Sequence, residues 1–324
     1  MKTLDGQLWA YVPGALVSPH NRPVLRGEWV HRRWSRWTMP DVVGVVRRQG
    51  FGRVDLLYID SVNQAFWLDA IDARRSILRI ADNQTGFAKF TPAMRQLERE
   101  VAARVDLVAY TAYRLRSYAE TLGPRALLHL SNGVDFHHFA EGSRISPPEY
   151  AGLPRPIAVY VGAMEEWFDF ALVAHAAQRL PDVSFVLIGP DHLARRRLAA
   201  APNIHLLGRR PFAKLPRYLH NADVGLIPFD VHGHSELVHS VNPLKLYEYM
   251  ACGLPVVATS WGELQELRSP AVLCASEQEF VSAVSAAATN GAEHRRESVR
   301  FAAAADWQHQ VSRLLAALDL GSCG

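Results

Sequence analysis

In the stretch SVNPLKLYEYMACGLPVVAT, Ser240 to Thr259, a lysine and a glutamate stand three residues apart, Lys245 and Glu248. Asn242 is a good helix cap and Pro243 suits the first helical position, while Gly253 ends the helix ahead of an apolar strand, PVVAT. The spacing puts Lys245 and Glu248 on one face of that helix, close to its start. The first turn of a helix has free amide hydrogens that attract an anion such as a diphosphate, and Lys245 would add a full positive charge. A carboxylate accepts hydrogen bonds from two neighbouring hydroxyls at once, as the cis-diol of a ribose offers. A cation for phosphate and an acceptor for a diol together make the footprint of a nucleotide. The same spacing also fits an ion pair on a solvated face, and spacing alone does not choose between the two.

Two other groups of residues could do chemistry. Asp82, in SILRIADNQTGF (Ser76 to Phe87), follows an apolar strand-like run. A carboxylate there could take the proton from an attacking hydroxyl, or could cap the next helix or fix a turn. His232, His234 and His239 lie together in DVHGHSELVHSV. Histidines ligate metals, but no fourth ligand or carboxylate cluster of metal spacing accompanies them. The expectation is therefore no metal, and a loop that lines a sugar or phosphate pocket.

The elements that must position these groups alternate along the chain. From about Pro40, apolar runs (VDLLYI from Val54, SILRI from Ser76, VDLVAY from Val105, ALLHL from Ala126) are separated by helical stretches such as Pro92 to Arg104 and Ala112 to Leu122. The segment Ala140 to Pro156, rich in Pro, Gly and Ser, reads as a linker. A second series follows: IAVYVG, VSFVLIG, IHLLG, DVGLIPF, PVVAT and AVLCA, with a tail from Ala292 to Leu318 of one or two helices. Continuous apolar strands alternating with helices predict parallel sheets covered on both faces. The expected fold class is α/β, with two Rossmann-like domains, 1–145 and 153–324, facing across a cleft. Ligands of such sheets sit at the carboxyl ends of the strands, so polar residues just after strands weigh most.

The totals bound the function classes. The chain has 324 residues, ample for two packed domains, with 49% hydrophobic and 21% charged residues, as in a soluble globular protein. A net charge of +3 is too weak to argue for nucleic acid. No run is apolar enough to span a bilayer, and the first residues do not read as a signal peptide. Cys252, Cys274 and Cys323 show no paired or metal-type spacing, so reduced thiols and a cytoplasmic location are expected. The sequon Asn83-Gln84-Thr85 is then chance.

SVNPLKLYEYMACGLPVVAT resembles the nucleotide-sugar signature of GT-B glycosyltransferases, especially the glycosyltransferase family 4 type. YVGAMEEWFD, PDVSFVLIGP and NIHLLGRRPFAKLPRYLHNADVGLIPF resemble successive blocks of the same domain, so the likeness runs from about Pro156 to Ala288. It implies a nucleotide-diphosphate sugar as donor, with Glu248 on the ribose and Lys245 near the phosphates. Further donor contacts are implied at Gly162 and Met164, at Arg210 and Phe212 in the nucleobase region, and at Ser240, Asn242 and Leu244. It also implies that the helix end and basic side chains, rather than a metal, neutralise the diphosphate. Many retaining members carry a second glutamate eight positions before the ribose-binding one; here that position is Ser240. The loop AMEEWFD is acidic where those enzymes carry basic residues.

DLLYIDS through LRIADNQTGF, LEREVAARVDLVAYTAYRL and LSNGVDFHHF are similar to the N-domain of the xanthan-type glucuronosyltransferases, inverting enzymes that act on a lipid-diphosphate-linked oligosaccharide. That likeness places the catalytic base at Asp82. No glycine-rich opening βα unit precedes Pro40, so the first domain is expected to lack one or two such units and to leave an apolar sheet edge.

WVHRRWSRW, Trp29 to Trp37, gathers Trp29, Trp34 and Trp37 with Arg32, Arg33 and Arg36. One reading is a helix at a membrane surface, where tryptophan favours the headgroup level and arginine the anionic lipids. The other is a helix whose tryptophans enter the core or cover the sheet edge. The combined expectation is a cytoplasmic glycosyltransferase, peripheral at the inner membrane face, acting on a carbohydrate or lipid-linked acceptor. A sugar-nucleotide epimerase and a non-catalytic donor-binding partner subunit are the alternatives.

Overall fold

The computed structural model describes residues 2–3, 8–19, 22, 25–83, 90–198, 201–287 and 292–321. Contacts divide the chain into two compact units: Met1–Thr111 with Leu115–Leu130 and Leu314–Gly324, and Ala112–Arg114 with Ser131–Arg313. The division falls at Leu130/Ser131, ahead of the expected linker. The reason is that the Pro-rich stretch is held by the second unit. Phe139 and Tyr150 are buried in that unit's core, and the Tyr150 hydroxyl donates to the Tyr218 carbonyl at 3.2 Å.

The first unit is built on four parallel strands in sequential order: β1 (Arg53–Ile59), β2 (Asp72–Ile80), β3 (Leu107–Tyr110) and β4 (Leu127–His129). Helix α1 (Pro92–Arg104) joins β2 to β3; proline at its first turn and the Thr91 hydroxyl, which accepts from Met94 N, set its start. Asp106 fixes the entry to β3 by accepting from the Ser76 amide and hydroxyl at 2.8 and 2.9 Å. Ile77, Leu107, Ala109 and Leu130 pack with Leu314 and Leu318 from the C-terminal segment. Ahead of β1 the described residues form two short antiparallel ribbons, Lys2–Thr3 with Trp9–Ala10 and Gly14–Ala15 with Thr38–Met39, and no βα unit.

The expected single helix over Trp29–Trp37 is an α-helix, Glu28–Arg33, followed by a 3₁₀ turn, Trp34–Trp37. The change of winding sends the tryptophans different ways. Trp34 packs edge-on to Phe66 and donates to Asn63 O, while Trp29 stays 57% exposed against Trp37. The expected helix from Ala112 is a 3₁₀ turn, Tyr113–Leu115, and then α-helix Arg116–Thr121.

The second unit has six parallel strands: β5 (Ile157–Val161), β6 (Ser184–Ile188), β7 (Ile204–Gly208), β8 (Val224–Ile227), β9 (Val256–Thr259) and β10 (Val272–Cys274). Their spatial order is β7-β6-β5-β8-β9-β10, the doubly wound arrangement, with its reversal between β5 and β8. β5, β6, β8 and β9 are buried throughout, which explains their unbroken apolar runs. Between β8 and β9 runs the helix that carries Lys245 and Glu248, α2 (Leu244–Ala251). The tail forms two helices, Ala292–Ala304 and Trp307–Ala317. Among the described residues, no helix is long and apolar enough to cross a membrane.

Candidate functional site

Helix α2 is clamped by two tyrosines. The Tyr249 hydroxyl accepts from the Val161 amide at the end of β5, at 2.7 Å, and its ring lies against Gly225 of β8, where a Cβ would collide with it. On the other side Tyr247 stacks on Phe301, and its hydroxyl donates to Asn242 Oδ1 at 2.9 Å. Asn242 Nδ2 donates to Ser131 Oγ at 2.9 Å, and Asn132 Nδ2 donates to the Asn242 carbonyl at 2.7 Å. This closed network corrects the expected cap. Pro243 is the N-cap, no side chain caps the end, and the Asn242 side chain instead ties the helix start to Ser131. The Leu244 and Lys245 amides are thus left for an anion, while the Leu246 amide donates to the Pro243 carbonyl at 3.1 Å.

Lys245 lies at the strand-order reversal. Its Nζ is 5.4 Å from the Tyr160 ring centre on β5 and 4.8 Å from that of Phe229, just past β8. Both faces are within cation–π range. The space exists because Gly162, at φ +154°, carries no side chain; a Cβ would lie 3.1 Å from Lys245 Cε and 3.0 Å from Tyr160 Oη. Burial pulls the lysine down to about 8, with Glu248 opposing the shift. A depressed ammonium is one that gains from a bound anion.

Glu248 lies beside it, half-buried. The ion pair that the spacing allowed does not form, for the lysine turns to the two rings instead. The Glu248 carboxyl is raised by burial, opposed by the charges of Lys245 and His138, and it bonds to no described residue. It remains an open acceptor. His138 stacks on Phe212 with ring centres 4.6 Å apart and planes at 14°, leaving Phe212 54% exposed.

The other expected donor residues scatter. Leu244 is 45% exposed at the helix start. Ser240 is buried and its hydroxyl has no partner. Met164 is fully buried in the core. The Arg210 guanidinium is committed to Glu149 and the Tyr218 hydroxyl, both at 3.0 Å, and to Leu207 O. His234 pairs with Asp230 at 3.1 Å, and no three His, Cys, Asp or Glu side chains come together as a metal set among the described residues. Tyr160, Phe229 and His138 were not expected. The first two sit at strand ends, in YVG and IPF, where the strand-end rule could have found them.

In the first unit, Asp82 stands two residues past β2, with its carboxyl raised by burial and Arg79 opposing. The next described helix, α1, is capped by Thr91 and not by Asp82. Gln84 to Phe87 of the same stretch lie outside the described residues, as does Cys323.

Residues 155–290 match the family described as "Glycosyl transferases group 1". The match lies within the second unit. The "Putative teichuronic acid biosynthesis glycosyltransferase TuaH" of Bacillus subtilis (strain 168) is 25% identical over 187 residues, 55% of this chain and 46% of that protein. A GDP-mannose-dependent monoacylated alpha-(1-6)-phosphatidylinositol monomannoside mannosyltransferase of Corynebacterium glutamicum is 27% identical over 199 residues, 56% of this chain and 51% of that protein. The chain spans about half the length of the curated relatives it matches. Among solved structures, sucrose-phosphate synthase from Thermosynechococcus elongatus superposes with TM-score 0.65 at 18% identity, over 87% of this chain and 78% of that one. Anabaena Alr3699/HepE in complex with UDP gives 0.64 at 18%, over 86% and 81%. The fold is GT-B.

Proposed function

We propose that the protein transfers a sugar from a nucleotide-diphosphate-sugar donor to a carbohydrate or lipid-linked acceptor. The observation that carries this reading is the pair on α2: Lys245 and Glu248 lie side by side, unpaired, on a clamped helix at the sheet's reversal. In this reading the Lys245 ammonium and the helix amides hold the diphosphate and stabilise its growing charge as it leaves. Glu248 accepts from the ribose diol. Asp82 takes the proton from the acceptor hydroxyl as its oxygen bonds to the sugar carbon. The carbon–oxygen bond to the diphosphate breaks with the electron pair, and direct displacement inverts the anomeric centre. The depressed lysine and free helix end supply the positive charge that a metal ion would otherwise give. A cytoplasmic enzyme at the membrane face, with Trp29 and its neighbouring arginines turned to the lipid, fits an acceptor hung from a lipid.

The test is calorimetric titration with UDP and GDP in the absence of metal, on the native protein and Glu248→Ala. Tight binding of one nucleotide, weakened by the substitution, is the expected result and selects the donors to assay. Binding of neither overturns the reading. Binding without transfer to any acceptor would instead mark a partner subunit, and donor turnover without an acceptor would mark an epimerase.

A further inference from the structure

The first unit contains a cavity of about 480 Å³ that the reading above does not use. It is lined by His31, Arg32, Arg33, Arg36, Arg47 and Arg104, against two carboxylates, Asp69 and Glu100. The carboxylates are already taken: Arg104 binds Asp69 at 2.5 Å and Arg32 binds Glu100 at 2.6 Å. Arg33 lies over the Trp29 ring, Arg47 donates to the Ala70 carbonyl at 2.7 Å, and Arg36 bonds to no described residue. The cavity thus keeps a surplus of positive charge. His31 is 4% exposed, its Nδ1 is paired with Asn63 Oδ1 at 2.8 Å, and its buried Nε2 has no partner. A buried polar nitrogen without a partner costs stability unless a ligand or water meets it.

A second cavity, of about 490 Å³, adjoins it across Phe66, which lines both. This one is apolar: Trp9, Trp34, Val46, Leu56, Phe66 and Trp67 are among its walls. One short helix, Val42–Val46, serves both, with Val42 and Val46 on the apolar side and Val43 on the basic side. Arg47, Asp69 and Arg104 belong to segments that lead into the amino ends of β1, β2 and β3, whereas Asp82 follows the carboxyl end of β2. The arginine-lined cavity therefore includes segments at the amino ends of the strands, whereas the apolar one runs along β1 to Tyr58 and Gln64 at its carboxyl end.

We propose that the first unit binds a lipid phosphate, its phosphate monoester in the arginine-lined cavity and its apolar chain across Phe66 in the tryptophan-lined one. Guanidinium forks match phosphate oxygens in pairs, and a monoester carries nearly two charges to meet the surplus. The second cavity selects the lipid over a free phosphate, because its walls are mainly apolar and suit a chain, with Tyr11, Tyr58 and Gln64 as polar groups among them. This deepens the membrane-surface part of the reading above and stands apart from donor binding, which UDP titration follows separately.

The test is flotation of the full chain with vesicles of phosphatidylcholine alone, with phosphatidate, or with phosphatidylglycerol at matched surface charge. Capture by phosphatidate well above phosphatidylglycerol is expected. The double substitution Arg33→Gln/Arg36→Gln should weaken capture by about tenfold, the size of one charge-assisted hydrogen bond. Trp9→Ser, at a partly exposed wall of the apolar cavity, should weaken it several-fold, with folding of both variants confirmed by melting. Short-chain phosphatidate should compete better than inorganic phosphate. Equal capture by both anionic lipids, equal competition by inorganic phosphate, native capture by either folded variant, or no capture at all would each overturn the proposal.

Discussion

The two parallel sheets differ in one topological respect. The six-stranded sheet reverses its order between β5 and β8, and the four-stranded sheet runs β1 to β4 without reversal. At a reversal the loops leave to opposite faces and open a crevice at the carboxyl ends. Gly162, Phe229 and the start of α2 line that crevice, and Lys245 fills part of it. The sheet without reversal has no crevice of that origin. Its candidate base is one strand-end carboxylate, and its two cavities are lined by short helices, by β1 and by the residues ahead of β1. Topology alone marks out a candidate crevice in one unit, while in the other a site must be argued from individual side chains.

The sharpest way to break this contrast is Asp82→Asn. It should lower transfer by about 100- to 10,000-fold, as loss of a general base does, and leave UDP affinity unchanged by calorimetry. A loss of UDP affinity would show that the two sheets do not divide the labour in this way. Lys245→Met should lower transfer by about 100- to 1,000-fold, the scale of losing one preorganised stabilising group, in a rate assay at saturating donor. Glu248→Gln should weaken UDP by about tenfold to a hundredfold, since a hydrogen bond to a charged group is worth about 1.5–3 kcal/mol. A 2′,3′-dideoxy nucleotide, with no ribose hydroxyl left to donate, should bind native protein and variant alike.

The smallest effect is one of pH. Lys245 titrates near 8 in the free protein, against 10.5 for an ordinary lysine. Between those values the unfolded chain holds a proton that the folded chain has released. Stability therefore rises with pH across that window. Native protein should gain in melting temperature from pH 8 to 10 relative to Lys245→Met, and UDP affinity should fall over the same range because binding needs the ammonium.

Much of this was legible in the sequence because burial leaves a local trace. The strand runs of the second unit stand where their unbroken apolar residues put them, and Pro92–Arg104 keeps both its ends because proline and Thr91 define the start. What escaped depends on distant partners. Asn242 before Pro243 has the composition of a cap, but Ser131, Asn132 and Tyr247 claim its polar atoms. Ala140 to Pro156 has the composition of a linker, yet Tyr150 is buried in the second unit. The separation of Lys245 from Glu248 follows from aromatic rings at two strand ends, which i,i+3 spacing cannot register.

The network that holds α2 joins residues 110 to 116 positions apart. Contacts of such long range form only after a large loop has closed, at an entropic cost met late in folding. A partly folded chain can hold β5 to β7 and still lack the proposed donor site. On the proposed function, a nucleotide recognises only the finished unit and stabilises it by mass action, so donor supply and the lifetime of the folded protein become linked quantities.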